Sequence, residues 1–169
     1  YDEGVVFMRK RCVLAFVLTA LAGTALHFAY DLAPVPLVGL FAPVNESVWE
    51  HLKLLFWPFL AAGFALTHGR EDKPAAWSGI LLALLAMPVF LLAAYYPLRA
   101  GFGVESLIVD IVLYYLTLWL GFRLACRVSE GGRLGYLAGI LVILAGLYGA
   151  ALILFTLAPP ELPIFIPNP

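Results

Sequence analysis

Two histidines, His27 and His51, and three carboxylates, Glu46, Glu50 and Asp110, stand inside or at the edge of long apolar runs. Two imidazoles with carboxylates, brought together from separate helices, form a ligand set suited to zinc, manganese or iron. With one coordination position left open, such a divalent metal would activate water for attack on a lipid ester or amide. In that reading His27, His51 and Asp110 are the metal ligands, Glu50 with Lys53 supplies acid/base chemistry, and Asp31, Asn45, Glu46, Ser47 and Tyr114 complete the pocket. The same groups could pass protons or carry an ion, as ionisable residues do in transporters. They could also do no chemistry and lock helices together, as in a structural or accessory subunit. No Ser-His-Asp arrangement, phosphate loop or His-Glu-x-x-His motif stands in the chain.

The elements that must position these groups are membrane helices. Of 169 residues, 63% are hydrophobic and 12% charged, whereas soluble domains average about 45–50% apolar and about 25% charged. A helix crossing the bilayer needs about 20 apolar residues. Five stretches qualify, at about 12–30, 47–67, 75–97, 104–125 and 134–157, which predicts an all-α, five-helix transmembrane bundle as a single domain over 1–169. A Pro-rich outer loop, 31–45, is expected to lie in the interface or fold over the bundle. With the N-terminus inside and the C-terminus outside, eight of the ten basic residues face the cytoplasm and only Lys53 and Arg99 fall on the outer half, as the positive-inside rule requires. The run after Met8-Arg9-Lys10-Arg11 reads as a retained signal anchor, with residues 1–7 placed upstream of a natural start at Met8.

Within these spans the polar residues recur at helical spacing. The first carries Ala20, Gly23, Thr24, His27 and Asp31 as one stripe; the second has Glu46, Glu50 and Lys53 on one face and Ser47 and His51 on the next; the fourth has Ser106, Asp110, Tyr114 and Thr117. The three helices alternate in direction, yet their polar groups gather toward the outer end, so His27, Glu50, His51 and Asp110 should share one slab one or two turns deep. A plainer account competes at the second helix. Asn45 and Ser47 suit a helix start, Ser47-x-x-Glu50 fits a capping box, and Lys53 can pair with Glu46 or Glu50.

Other features exclude or suggest less. The longest basic block is three residues and the net charge is −1, which excludes a nucleic-acid surface. Cys12 and Cys126 make neither a disulfide framework nor a zinc ribbon and are expected as reduced thiols at the cytoplasmic end. Asp72 should cap the third helix ahead of Pro74, and Pro58 and Pro88 lie inside helices. Gly135-x-x-x-Gly139 lets another helix approach, within the bundle or as the seam of a homodimer. Membrane lipids are the remaining expected partners.

The segment Pro43-Val-Asn-Glu-Ser-Val-Trp-Glu-His-Leu-Lys-Leu-Leu-Phe-Trp-Pro58, with His27-x-x-x-Asp31 before it and Pro159-Pro160-Glu-Leu-Pro-Ile-Phe165 near the end, resembles an uncharacterised bacterial family of small multi-pass membrane proteins. The resemblance implies a protein of the bacterial cytoplasmic membrane and carries no activity with it. Glu46-Ser47-Val-Trp49-Glu50-His51 is also similar to the early motif of the adiponectin-receptor and hemolysin-III family, with the Asn displaced to position 45. That family implies seven helices and a later His-x-x-x-His for zinc. This chain has five candidate spans and no histidine after His68.

Overall fold

The computed structural model describes residues 3–167. Its elements are helical throughout, with no strand among the described residues. In chain order they are α1 (Glu3–His27), α2 (Ala29–Leu32), α3 (Pro36–Gly39), α4 (Val48–Thr67), α5 (Lys73–Tyr96), a π turn (Pro97–Gly101), α6 (Leu107–Gly131), a 3-10 turn (Gly135–Leu137), α7 (Ala138–Leu157) and a last 3-10 turn (Pro163–Phe165). The side chain of Arg9, counted above among the inner basic residues, lies outside the described ones.

Among the described residues four helical segments are long and apolar enough to cross a membrane: Lys10–His27, Lys73–Gly101, Leu107–Gly131 and Gly135–Leu157. The expected second span, α4, has the length but carries Glu50, His51 and Lys53 in its first two turns. The first helix starts earlier than expected and stops at His27, where a break at Phe28 leaves Asp31 on the separate short α2.

Helix α5 is the centre of the bundle, packing on α4, α6 and α7, while α1 packs on α4 and α6. Small residues let α5 and α6 touch. A methyl at Gly79 would collide with the Ala125 carbonyl and Ser129, and one at Gly121 with the Met87 side chain. The Ser129 hydroxyl donates across the same seam to the Ala76 carbonyl at 2.9 Å. Local signals behave as physics expects. Asp72 caps α5 by accepting from Ala75 N at 3.3 Å, Pro74 lies in its first turn, and Gly132, at φ 65°, ends α6 in the left-handed conformation that glycine adopts freely.

The two ends of the bundle differ. One holds Lys10, Arg11, Arg70, Lys73, Arg127 and Arg133, tied by bonds such as Arg11 Nη2 to the Ala65 carbonyl (3.0 Å) and Arg70 Nη2 to the Ser129 carbonyl (3.1 Å). At the same end Cys12 and Cys126 are joined as a disulfide between α1 and α6. This corrects the expectation of two reduced thiols: 114 residues separate them in the chain, so only the packing of α1 against α6 reveals that they meet. The other end gathers the C-terminus of α1, the N-terminus of α4 and the close of α7, over which the Pro-rich loop folds with Ala42 and Pro43 buried. Trp49 there stacks with Phe155 and Phe165 at 5.4 and 4.9 Å, so the C-terminal tail returns onto α4.

Candidate metal centre

The cluster is built around the start of α4. Ser47 has extended backbone and caps the helix, its hydroxyl accepting from Glu50 N at 3.3 Å. Half of the expected capping box is therefore present. The return bond to Ser47 N comes from Asn45 Oδ1 at 2.9 Å, not from Glu50, which is used elsewhere.

Glu50 and Lys53 form a buried ionic knot, 2% and 0% exposed, with Lys53 Nζ 2.6 Å from Glu50 Oε2. Lys53 also donates to the Gly39 and Ala42 carbonyls at 2.7 and 3.2 Å. Glu50 accepts from Val44 N at 2.9 Å, and its Oε1 lies 2.9 Å from the Thr156 hydroxyl, whose one proton it shares with the Leu152 carbonyl at 2.8 Å. Buried charges persist only when paired and fully hydrogen-bonded, and here each is. The knot joins α4, α7 and the loop 36–44, and thereby fixes the path of the chain into Asn45 and Glu46. Thr156 and the Gly39 and Ala42 carbonyls escaped the sequence reading. The signal for Thr156 was there, as the one Ser or Thr in the last apolar span; backbone carbonyls leave no such mark.

On the other side of α4, His27, Glu46 and His51 come together. Each offers a ligand atom, and the three atoms lie within 4.8 Å of one another. The imidazoles of His27 and His51 have ring centroids 5.2 Å apart. His51 Nδ1 stands 2.8 Å from the Ser47 carbonyl. A carbonyl only accepts, so Nδ1 carries the proton in that bond and Nε2 of the neutral ring is a bare lone pair. That lone pair faces Glu46 Oε2 at 3.3 Å. Two acceptors that face each other are paired by a cation between them, a proton or a metal ion, and Glu46, 64% exposed, leaves this spot open to solvent. Two ligand atoms at zinc bond lengths and a tetrahedral angle stand about 3.3–3.5 Å apart, so the spacing suits either. His27 Nδ1 is buried with no hydrogen-bond partner, a further lone pair or N–H in want of one.

The other residues expected in the site fall at different distances from this trio. Asp110 is outside the ligand group but on the inward face of α6, where Tyr114, one turn along, reaches Gly23 of α1. His27 is one turn beyond Gly23 on α1 and Asp110 one turn before Tyr114 on α6, both toward the same end of the bundle. Asp31 is exposed on α2, and Asn45 and Ser47 act on the start of α4.

A family model described as "Family of unknown function (DUF6512)" matches residues 5–168. The chain belongs to this family. For this DUF6512 member, no curated protein and no solved structure gives a match. The assignment agrees with the expectation of an uncharacterised family and leaves the chemistry to be argued from the site.

Proposed function

We propose that this protein is a five-helix protein of the bacterial cytoplasmic membrane, N-terminus inside, that binds a divalent metal at His27, Glu46 and His51 near the outer surface and acts there on a lipid-like substrate. The observation that carries this reading is that His51 Nε2 stands 3.3 Å from the Glu46 carboxylate, oriented by the bond of its other nitrogen to the Ser47 carbonyl, with a ligand atom of His27 within 4.8 Å of both. That is how ligating histidines are oriented, with the second nitrogen donating to a carbonyl. Two histidines and one carboxylate leave an open coordination position, the arrangement of hydrolytic zinc sites and of non-haem iron sites. A bound ion would supply Lewis acidity at that position.

The lipid-like substrate is supported by the surroundings. Leu32, Leu37, Leu107 and Ile108 are 84%, 68%, 74% and 73% exposed at the same end of the bundle, so the cluster opens among apolar side chains where the acyl region meets the headgroups. Glu50 and Lys53, saturated by their own knot, serve here to hold the loop that presents Glu46. Asp110 is the further ligand or acid/base group within reach of the same level.

Purified protein loaded with zinc, manganese, iron or cobalt and assayed by elemental analysis should hold one ion per chain. His27→Ala, His51→Ala and Glu46→Gln should each weaken retention at least tenfold. No stoichiometric metal in the wild type, under any of these loadings, refutes the reading. If the variants lower stability alone, the cluster is a helix lock, and if they abolish ion flux without metal retention, it belongs to a carrier.

A further inference from the structure

One turn deeper than the histidines, a second set of polar groups lacks partners. The Tyr114 hydroxyl is buried without a hydrogen bond. It lies in the notch left by the missing side chain of Gly23, where a methyl would overlap it and would stand 3.1 Å from the Leu54 carbonyl. That carbonyl has lost its helical donor, because the residue four places on is Pro58, which has no N–H. His27 Nδ1, also unpartnered, lies one turn above Gly23 on the same face of α1, and His51 is one turn above Leu54 on α4. Neighbouring Tyr115 differs: its hydroxyl is 3.1 Å from the Thr24 hydroxyl. Buried polar side-chain atoms without partners are uncommon in folded proteins, and here Tyr114 Oη and His27 Nδ1, from two helices, stand in successive layers beside the Leu54 carbonyl.

We propose that the Tyr114 hydroxyl and the Leu54 carbonyl form an oxygen-binding subsite directly beneath the metal ligands, which takes a hydroxyl group: water, or an alcohol of the substrate. The chemistry selects the guest. Tyr114 can donate and Leu54 can only accept, so the guest must accept from one and donate to the other. A hydroxyl does both, whereas a carbonyl or ether oxygen would leave Leu54 unpaired. Gly23 and Pro58 are then the two residues that open the subsite, one by making room for the phenol and the other by freeing the acceptor.

This inference rests on the metal reading for its position but is tested separately from it. Cobalt-loaded protein is titrated with 3-hydroxypropionate, whose carboxylate binds the ion while its hydroxyl keeps its proton, and followed by visible absorption, with propionate as the control. Tyr114→Phe should leave cobalt and propionate affinity unchanged and weaken 3-hydroxypropionate about tenfold, the loss of one hydrogen bond. Gly23→Ala should do the same by displacing the phenol, and Tyr115→Phe should change nothing. 3-Hydroxypropionate binding within twofold of wild type in folded Tyr114→Phe overturns the subsite and leaves the metal site standing. If the wild type takes up no cobalt, the metal reading falls and a water-resolving density map decides the subsite. An oxygen peak bonded to both Tyr114 and Leu54 sustains it; a direct Tyr114–Leu54 hydrogen bond with no such peak overturns it.

Discussion

Replacing Lys53 with Met tests how the loop is held. The Nζ atom makes hydrogen bonds to Glu50 and to the Gly39 and Ala42 carbonyls, and the side chain has no exposed surface. Removing it leaves the Glu50 carboxylate buried, with only Val44 N and the Thr156 hydroxyl to face. Breaking a buried pair from one side costs about 3–5 kcal/mol, because one charge stays uncompensated. Removing both charges with well-packed apolar residues is often neutral or stabilising. The expected pattern is therefore a loss of about 3–5 kcal/mol for Lys53→Met, with most of it recovered in Lys53→Met combined with Glu50→Leu. Unfolding free energies measured in detergent across the four proteins of this double-mutant cycle give the coupling. Metal retention should fall in the single variant through the loosened path to Glu46. A single variant within about 0.5 kcal/mol of wild type, or a double variant as unstable as the single, refutes the loop-lock reasoning.

The remaining predictions concern packing and topology. Gly79→Ala should destabilise by about 1–3 kcal/mol, since the added methyl meets the backbone of α6, which cannot give way as a side chain would; retained melting behaviour would count against the tight α5–α6 seam. Gly139→Ala should not lower monomer stability, because among the described residues nothing outside its own stretch of helix lies within 4 Å of the new methyl; a shift in oligomeric state on size exclusion would instead reveal a dimer seam there, as Gly135 already packs against Ala75 in the same chain. Cys126→Ser should cost about 2–4 kcal/mol, as loss of a cross-link closing a long loop does, and thiol trapping of unreduced wild type should label neither cysteine. A reporter fused after Pro169 should be active only on the outer face. Activity on the inner face would overturn the orientation drawn from the basic residues, and would place the disulfide on the oxidising side, where such bonds ordinarily persist.

Much of the architecture was legible in the chain because lipid leaves few options. Backbone groups in hydrocarbon must bond internally, so long apolar runs declare themselves as helices, and Asp72 and Pro74 mark the start of α5 by capping and local sterics alone. The level shared by His27 and His51 was also readable, since helical rise converts residue spacing into depth. Three things waited on tertiary structure. Glu46 joins the histidines because the loop ahead of α4 is routed by the Glu50–Lys53 knot, a set of contacts to backbone carbonyls and Thr156 that no spacing encodes, and Asp110 stands outside the ligand trio. Cys12 and Cys126 meet only because α1 packs on α6. The notch at Gly23 becomes a site only once Tyr114 and Pro58 arrive from two other helices. Periodicity along one helix tells which residues share a face; which faces meet, and what is left unpaired between them, is set by how the helices pack.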